Sequence, residues 1–227
     1  MSNITRFSVV MILFGVVMGL SLTARAANDP RFRYDNTLVK TINQDWSIDL
    51  YSEFDTDKDR IHDLNTIDQE LTGVYSGFAR WLDLGAGIGY WDAKGNGYWE
   101  GTTFPMGFAT LKKTIFGLEL SDRNRFEAEV PEHGEEGLVY RNALTIATAK
   151  KWTRFEIQPF VSNEIFYNFL AKYASDNQAF GGFNFKVTKN IGASLSFMMD
   201  SSHLREVNNG DHWKKTPMAI LSTTVSF

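Results

Sequence analysis

Between Glu119 and Glu129 every second residue is ionisable or hydroxylic: Glu119, Ser121, Arg123, Arg125, Glu127 and Glu129. A period of two is that of a β-strand, so these side chains share one face of an extended segment. Arg141 lies on the next extended run, where it would complete a basic ladder with Arg123 and Arg125. Guanidinium forks bind carboxylates and hydroxyl-rich groups in pairs. The ladder is therefore either a solute-binding wall or an internal counter-charge for Glu119, Glu127 and Glu156. The same alternation puts Arg31, Arg33 and Lys186 on enclosed faces with Asp35, Asp49, Glu53, Asp68, Glu70, Asp83, Glu129 and Glu164. Enclosed charges must be paired or hydrated, so the set forms a crosslinked plug or a wet, charge-lined path. The candidate solute-binding residues are Arg33, Glu53, Glu119, Arg123, Arg125, Glu127, Arg141, Glu156 and Glu164.

Other chemistry is weaker. His62, His133, His203 and His212 fall in polar stretches without the paired spacing of a zinc site, and neither a metal nor a cofactor is expected. Ser201-Ser202-His203 ends a strand pattern, where an enzyme acting on outer-leaflet lipid would keep a Ser/His pair; this is the alternative to a channel, and no catalytic residue is assigned. Gly85, Gly87 and Gly89 imitate a dinucleotide fingerprint but lack its turn and helix. At spacing two inside a strand they open interior space or relieve curvature. Glu132, Glu135 and Glu136 read as a solvated charge run.

The elements that must hold these side chains are strands. Ala179, Gly181, Phe183, Phe185 and Val187 alternate with Gln178, Phe180, Gly182, Asn184 and Lys186. The pattern resumes from Ile191 to Asp200, and again from Met218 to Phe227. Short connections are expected at Asn43-Gln44-Asp45, Gly77-Phe78-Ala79-Arg80, Lys112-Lys113, Lys150-Lys151 and Thr188-Lys189-Asn190. Long polar loops are expected near Asp55–Asp63, Asp92–Gly101, Pro131–Gly137, Phe169–Asp176 and Ser201–Lys215. Short turns at one end and long loops at the other are the asymmetry of an outer-membrane barrel, with the apolar face on lipid and the polar face inside. Trp46, Trp81 and Trp152 follow short turns, whereas Trp91, Trp99 and Trp213 lie near long loops, as two interfacial belts would require.

The N-terminus agrees with export. Arg6, the uncharged run Val9 to Leu20 and Ala24-Arg25-Ala26 predict a signal peptide over residues 1–26, leaving 27–227 as a single barrel domain. The chain has no cysteine and a net charge of −4, which argues against disulfides and against a nucleic-acid partner. The fold class is all-β, a transmembrane antiparallel up-and-down barrel. Eleven strands can be counted; an even number is the rule for bacterial barrels, so twelve is expected within a range of ten to twelve. A twelfth would come from Ala27 to Arg33; ten would follow if Thr102 to Leu111 were not a crossing. Asp122 shares the lipid-side alternation and is expected near the outer boundary, and Pro159 predicts a bulge.

Asp122-Arg123-Asn124-Arg125-Phe126-Glu127, Pro159-Phe160-Val161-Ser162-Asn163-Glu164-Ile165-Phe166 and the terminal Phe227 resemble a family of uncharacterised Gram-negative outer-membrane β-barrel proteins. That resemblance implies a location and no activity. More distantly, size and hairpin layout are similar to the small porins for acidic sugars such as oligogalacturonate and sialic acid. The C-terminal Phe227 resembles the signal that the barrel-assembly machinery reads in outer-membrane proteins. The expected protein is a monomeric outer-membrane channel passing a small hydrophilic solute, in contact with lipid and lipopolysaccharide. The alternatives are an outer-leaflet lipid-modifying enzyme and a closed structural or docking barrel.

Overall fold

A computed structural model describes residues 31–57, 60–95, 98–170, 172–206 and 210–227. The segment expected to be a signal peptide lies outside them. The described residues form eleven strands: β1 Arg31–Thr41, β2 Trp46–Asp57, β3 Arg60–Ala79, β4 Leu82–Gly95, β5 Tyr98–Ile115, β6 Leu118–Pro131, β7 Gly137–Thr148, β8 Gln158–Asn168, β9 Tyr173–Lys186, β10 Ile191–Glu206 and β11 Gly210–Ser226. Each pairs antiparallel with the next, and the sheet closes into a barrel.

Closure corrects the expectation of twelve strands. β1 pairs directly with β11, in parallel, from Arg31↔Met218 to Val39↔Ser226. An odd number of alternating strands must bring its first and last together in the same direction. Arg31, Phe32 and Arg33 already belong to β1, and Thr102 to Leu111 is a full crossing inside β5. Phe227 extends the seam, its N–H donating to the Val39 carbonyl at 3.0 Å.

Several connections also differ from expectation. Lys112 and Lys113 lie within β5, and the turn comes later, at Phe116 and Gly117 with φ of 52° and 81°. Two successive positive φ values suit the right-handed twist of a two-residue hairpin. The Lys150-Lys151 connection runs on to Ile157, closed by a Trp152↔Ile157 bridge. Of the expected long loops, Asp92–Gly101 and Ser201–Lys215 are mostly strand, and β2 and β3 take up the ends of Asp55–Asp63. Polar residues there continue the ladder because strands need backbone pairing, not apolar side chains, once they leave the waist. Pro159 pairs regularly with Phe183 and precedes the β7 pairing, which begins at Ala147↔Phe160. A strand start tolerates a missing N–H, and the irregularity falls instead between Phe166 and Tyr167.

The two faces separate as alternation requires. Leu50, Leu71, Leu84, Ile88, Leu144, Ile165 and Leu195 point outward and are exposed. Inside, Met198, Met218 and Ile220 form an apolar cluster with Phe180 on the β9–β11 side. Trp46, Trp81, Trp99 and Trp213 are exposed, but Trp91 shares the inward phase of Gly89 and is paired opposite Asp68, so it is not part of an outer belt.

Candidate functional site: an ionic lattice inside the barrel

Alternation along β6 sends Arg123, Arg125 and Glu127 into the barrel, where neighbouring strands supply their partners. Arg125 makes a two-pronged contact with Glu70 of β3, Nη1 to Oε2 at 2.9 Å and Nη2 to Oε1 at 2.7 Å. Its Nε also contacts Glu127. Arg141 of β7 continues the chain, donating from Nη1 to Glu127 at 3.0 Å and from Nε to Glu164 of β8 at 2.9 Å. Arg123 ends it, with Nη2 3.5 Å from Glu164. The contacts thus form a continuous lattice from Glu70 to Arg123. A second group lies on β1 and β2: Arg33 donates to both carboxylate oxygens of Asp55 at 2.7 and 2.9 Å and meets Glu53 at 3.0 Å.

The lattice is buried at its centre. Arg125 is 2 % exposed, Glu127 5 % and Glu164 6 %, and Phe104, itself 2 % exposed, lies against the Arg125 guanidinium. A carboxylate this buried is tolerable only with a charged donor at hydrogen-bond distance, which each of these has. Arg123 differs: its side chain is 39 % exposed. It lies on the wall shared by two cavities of about 440 Å³ each, one bounded by the lattice and the other by Ser121, Thr145, Ser162 and Phe160.

The Gly85, Gly87 and Gly89 stripe on β4 makes room for this arrangement. A Cβ at Gly85 would collide with the Phe108 ring, and one at Gly89 with the Phe104 ring. Those rings occupy the space that β4 leaves open, and the Arg125 guanidinium lies 5.6 Å from the centre of the Phe104 ring. The glycines therefore serve packing, in agreement with the reading from spacing.

Of the residues singled out from the sequence, Arg33, Glu53, Arg123, Arg125, Glu127, Arg141 and Glu164 line the interior in paired form. Glu119 and Glu156 do not join the lattice. Glu119 accepts from Gln158 Nε2 at 2.8 Å. Glu156 sits in the Ala149–Ile157 connection, 3.1 Å from both Lys186 and Lys151. Those two hydrogen bonds, first from Lys186 and then from Lys151, hold its carboxyl below the ordinary 4.5. Its expected role as counter-charge to the arginine ladder is replaced by a lysine clamp at the short-turn end. Sequence reasoning missed Asp55, placed in a loop, and Lys112, placed in a turn; Lys112 pairs with Asp83 at 2.6 Å. Both lie on the inward phase of their strands, which continuing the period-two count would have found.

The Ser/His pair does not assemble through Ser202. Consecutive strand residues face opposite ways, and the Ser202 hydroxyl donates to Asp200 at 3.2 Å. His203 stacks between Tyr173 and Trp213, with ring centres 4.9 and 5.2 Å away. Its ring is part of an aromatic cluster near the strand ends. The side chains of His62 and His212 lie outside the described residues.

No curated protein and no solved structure matches the chain. Residues 32–210, which include β2 to β10, most of β1 and every residue of the lattice, match the model of a family described as Protein of unknown function (DUF2490), and the chain belongs to that family.

Proposed function

We propose that the protein is a β-barrel of the Gram-negative outer membrane whose lumen is a gated path for a small hydrophilic solute, closed in the conformation described here. The exposed aliphatic belt supports the membrane reading, since Leu50, Leu71, Ile88, Leu144 and Leu195 lie on the outside of a barrel whose arginine–carboxylate lattice is turned inward. Contact with lipid and lipopolysaccharide follows from that belt. Recognition of Phe227 by the assembly machinery belongs to the same reading.

The observation that carries the gate is the origin of the groups that close the lumen. Glu70, Arg125, Glu127, Arg141 and Glu164 all come from the wall strands, with no inserted loop among them. A plug made of paired wall side chains opens when the pairs exchange partners, without unfolding any strand. A solute with a carboxylate and several hydroxyls suits the exchange. Arg123 offers it a half-exposed guanidinium, and Ser121, Thr145 and Ser162 offer hydroxyls from the adjoining wall.

Single-channel recording in a planar bilayer tests this. The wild type should give rare, small conductance steps, and Arg125→Ala/Glu70→Ala should give frequent, larger ones. Silence from both proteins, each first verified as folded by heat-dependent gel mobility, would sink the channel and leave the closed structural barrel.

A further inference from the structure

The connection between Thr148 of β7 and Gln158 of β8 is the longest at the short-turn end, and it is rich in charge. Lys150, Lys151 and Arg154 are exposed on it, against a single acid, Glu156. Contacts with β9 fix where it lies. The Lys186 N–H donates to the Phe155 carbonyl at 2.7 Å. The Lys186 and Lys151 ammoniums each donate to one oxygen of the Glu156 carboxylate, both at 3.1 Å.

Beside this clamp lies a cavity of about 330 Å³, within the roughly 300–1,000 Å³ of small-molecule sites. Strand alternation builds its wall. Asn184, Ser194 and Thr224 share the inward phase of Phe180, Met198 and Ile220, so an amide and two hydroxyls line the same cavity as Lys151 and Lys186. Among the described residues, no side-chain hydrogen bond engages those three polar groups. Ser222, also in the wall, donates to Asp35 at 3.0 Å, and Asp35 lines the cavity bounded by the lattice. The two cavities therefore meet at that bond.

The clamp does little for the fold. Its three side chains are 37–49 % exposed, and ion pairs so open to solvent contribute little to stability. The backbone does not favour it either, since Thr153 and Glu156 have φ of 61° and 49°, a left-handed conformation that is costly for residues with a Cβ. Two ammoniums converge on one carboxylate, which leaves one positive charge over in the cavity wall. Glu119, which accepts from the Gln158 amide at 2.8 Å, is not part of that wall.

We propose that this vestibule binds the carboxylate of a small polyhydroxylated acid, which takes the place of Glu156 between Lys151 and Lys186. Glu156 is a built-in competitor. A carboxylate from solution accepts the same two charge-assisted bonds, and its hydroxyls meet Asn184, Ser194 and Thr224. The ligand class rests on the solute reading above, whereas the site rests on the clamp and its cavity alone.

Titration calorimetry of the refolded protein in detergent with sodium gluconate tests the vestibule. Arg123→Gln is the starting protein, so that the guanidinium of the lattice wall does not contribute. Adding Glu156→Gln should tighten gluconate binding by about tenfold, as loss of a competing charge-assisted contact implies. Adding Glu119→Gln instead, which removes an acid of the same end outside the clamp, should not. Lys151→Met with Lys186→Met should abolish the gain, and Lys113→Met, an exposed charge of the same end, should leave it intact. Heat-dependent gel mobility verifies that each protein is folded. Affinity unchanged or lowered by Glu156→Gln, an equal gain from Glu119→Gln, or a gain that survives without both lysines would each overturn the site. Planar-bilayer recording of the same proteins separates the premises. Tightened binding in a barrel that never conducts refutes the path and leaves the vestibule, whereas conduction with unchanged affinity refutes the vestibule alone.

Discussion

Arg125 on β6 grips Glu70 on β3 across two intervening strands, with hydrogen bonds of 2.9 and 2.7 Å. The reach depends on the glycine stripe of β4, which adds no side chains beneath it, and on Phe104, whose ring centre lies 5.6 Å from the guanidinium. One ion pair therefore ties together separate arcs of the wall.

Removing one partner should cost more than removing both. Arg125→Met leaves Glu70 buried without its counter-charge, and a loss of about 3–5 kcal/mol is expected. Arg125→Met combined with Glu70→Leu should recover most of that loss, because the uncompensated carboxylate is gone. Urea unfolding of the three refolded proteins in detergent measures the difference.

Gly89 should resist any side chain. A Cβ there collides with the Phe104 ring, so Gly89→Val is expected to destabilise by about 1–3 kcal/mol through overpacking. Adding Phe104→Ala should return part of that loss, since the two changes share one space. A double-mutant cycle by thermal unfolding reads the coupling.

Arg123 should matter for solute and little for stability. Its side chain is 39 % exposed and its contact with Glu164 is long at 3.5 Å. Arg123→Gln is expected to change unfolding free energy by no more than about 0.5 kcal/mol. The same variant should weaken binding of a polyhydroxy carboxylate such as gluconate by about tenfold or more, as loss of a charge-assisted bond implies. Titration calorimetry compares the two proteins.

The Glu156 clamp should release in acid. Its carboxyl is held below 4.5 by hydrogen bonds from Lys186 and Lys151, so its contribution is present above pH 4.5 and is lost as pH falls through its lowered folded value. Glu156→Gln should therefore melt slightly below the wild type at neutral pH and converge with it in strong acid. Melting curves from pH 7 down to pH 2 test this; a gap that widens on acidification would contradict it. The effect is small because the site is open to solvent.

Much of this architecture follows from period-two alternation alone. It put Arg123, Arg125, Glu127 and Arg141 on enclosed faces, and all four point inward, since neighbouring strand residues must point apart. It also revealed that Gly85, Gly87 and Gly89 belong to a strand and not to a phosphate loop. Only closure decided the strand count, because whether β1 meets β11 depends on the curvature of the whole sheet, which no local window contains. Pairing was equally a matter of tertiary structure: Arg125 and Glu70 are 55 residues apart in the chain, and only the closed sheet sets them at hydrogen-bond distance across two intervening strands. Asp122, expected near the outer boundary, lies instead in the half of β6 next to the turn at Phe116 and Gly117, because that turn sets where the strand begins.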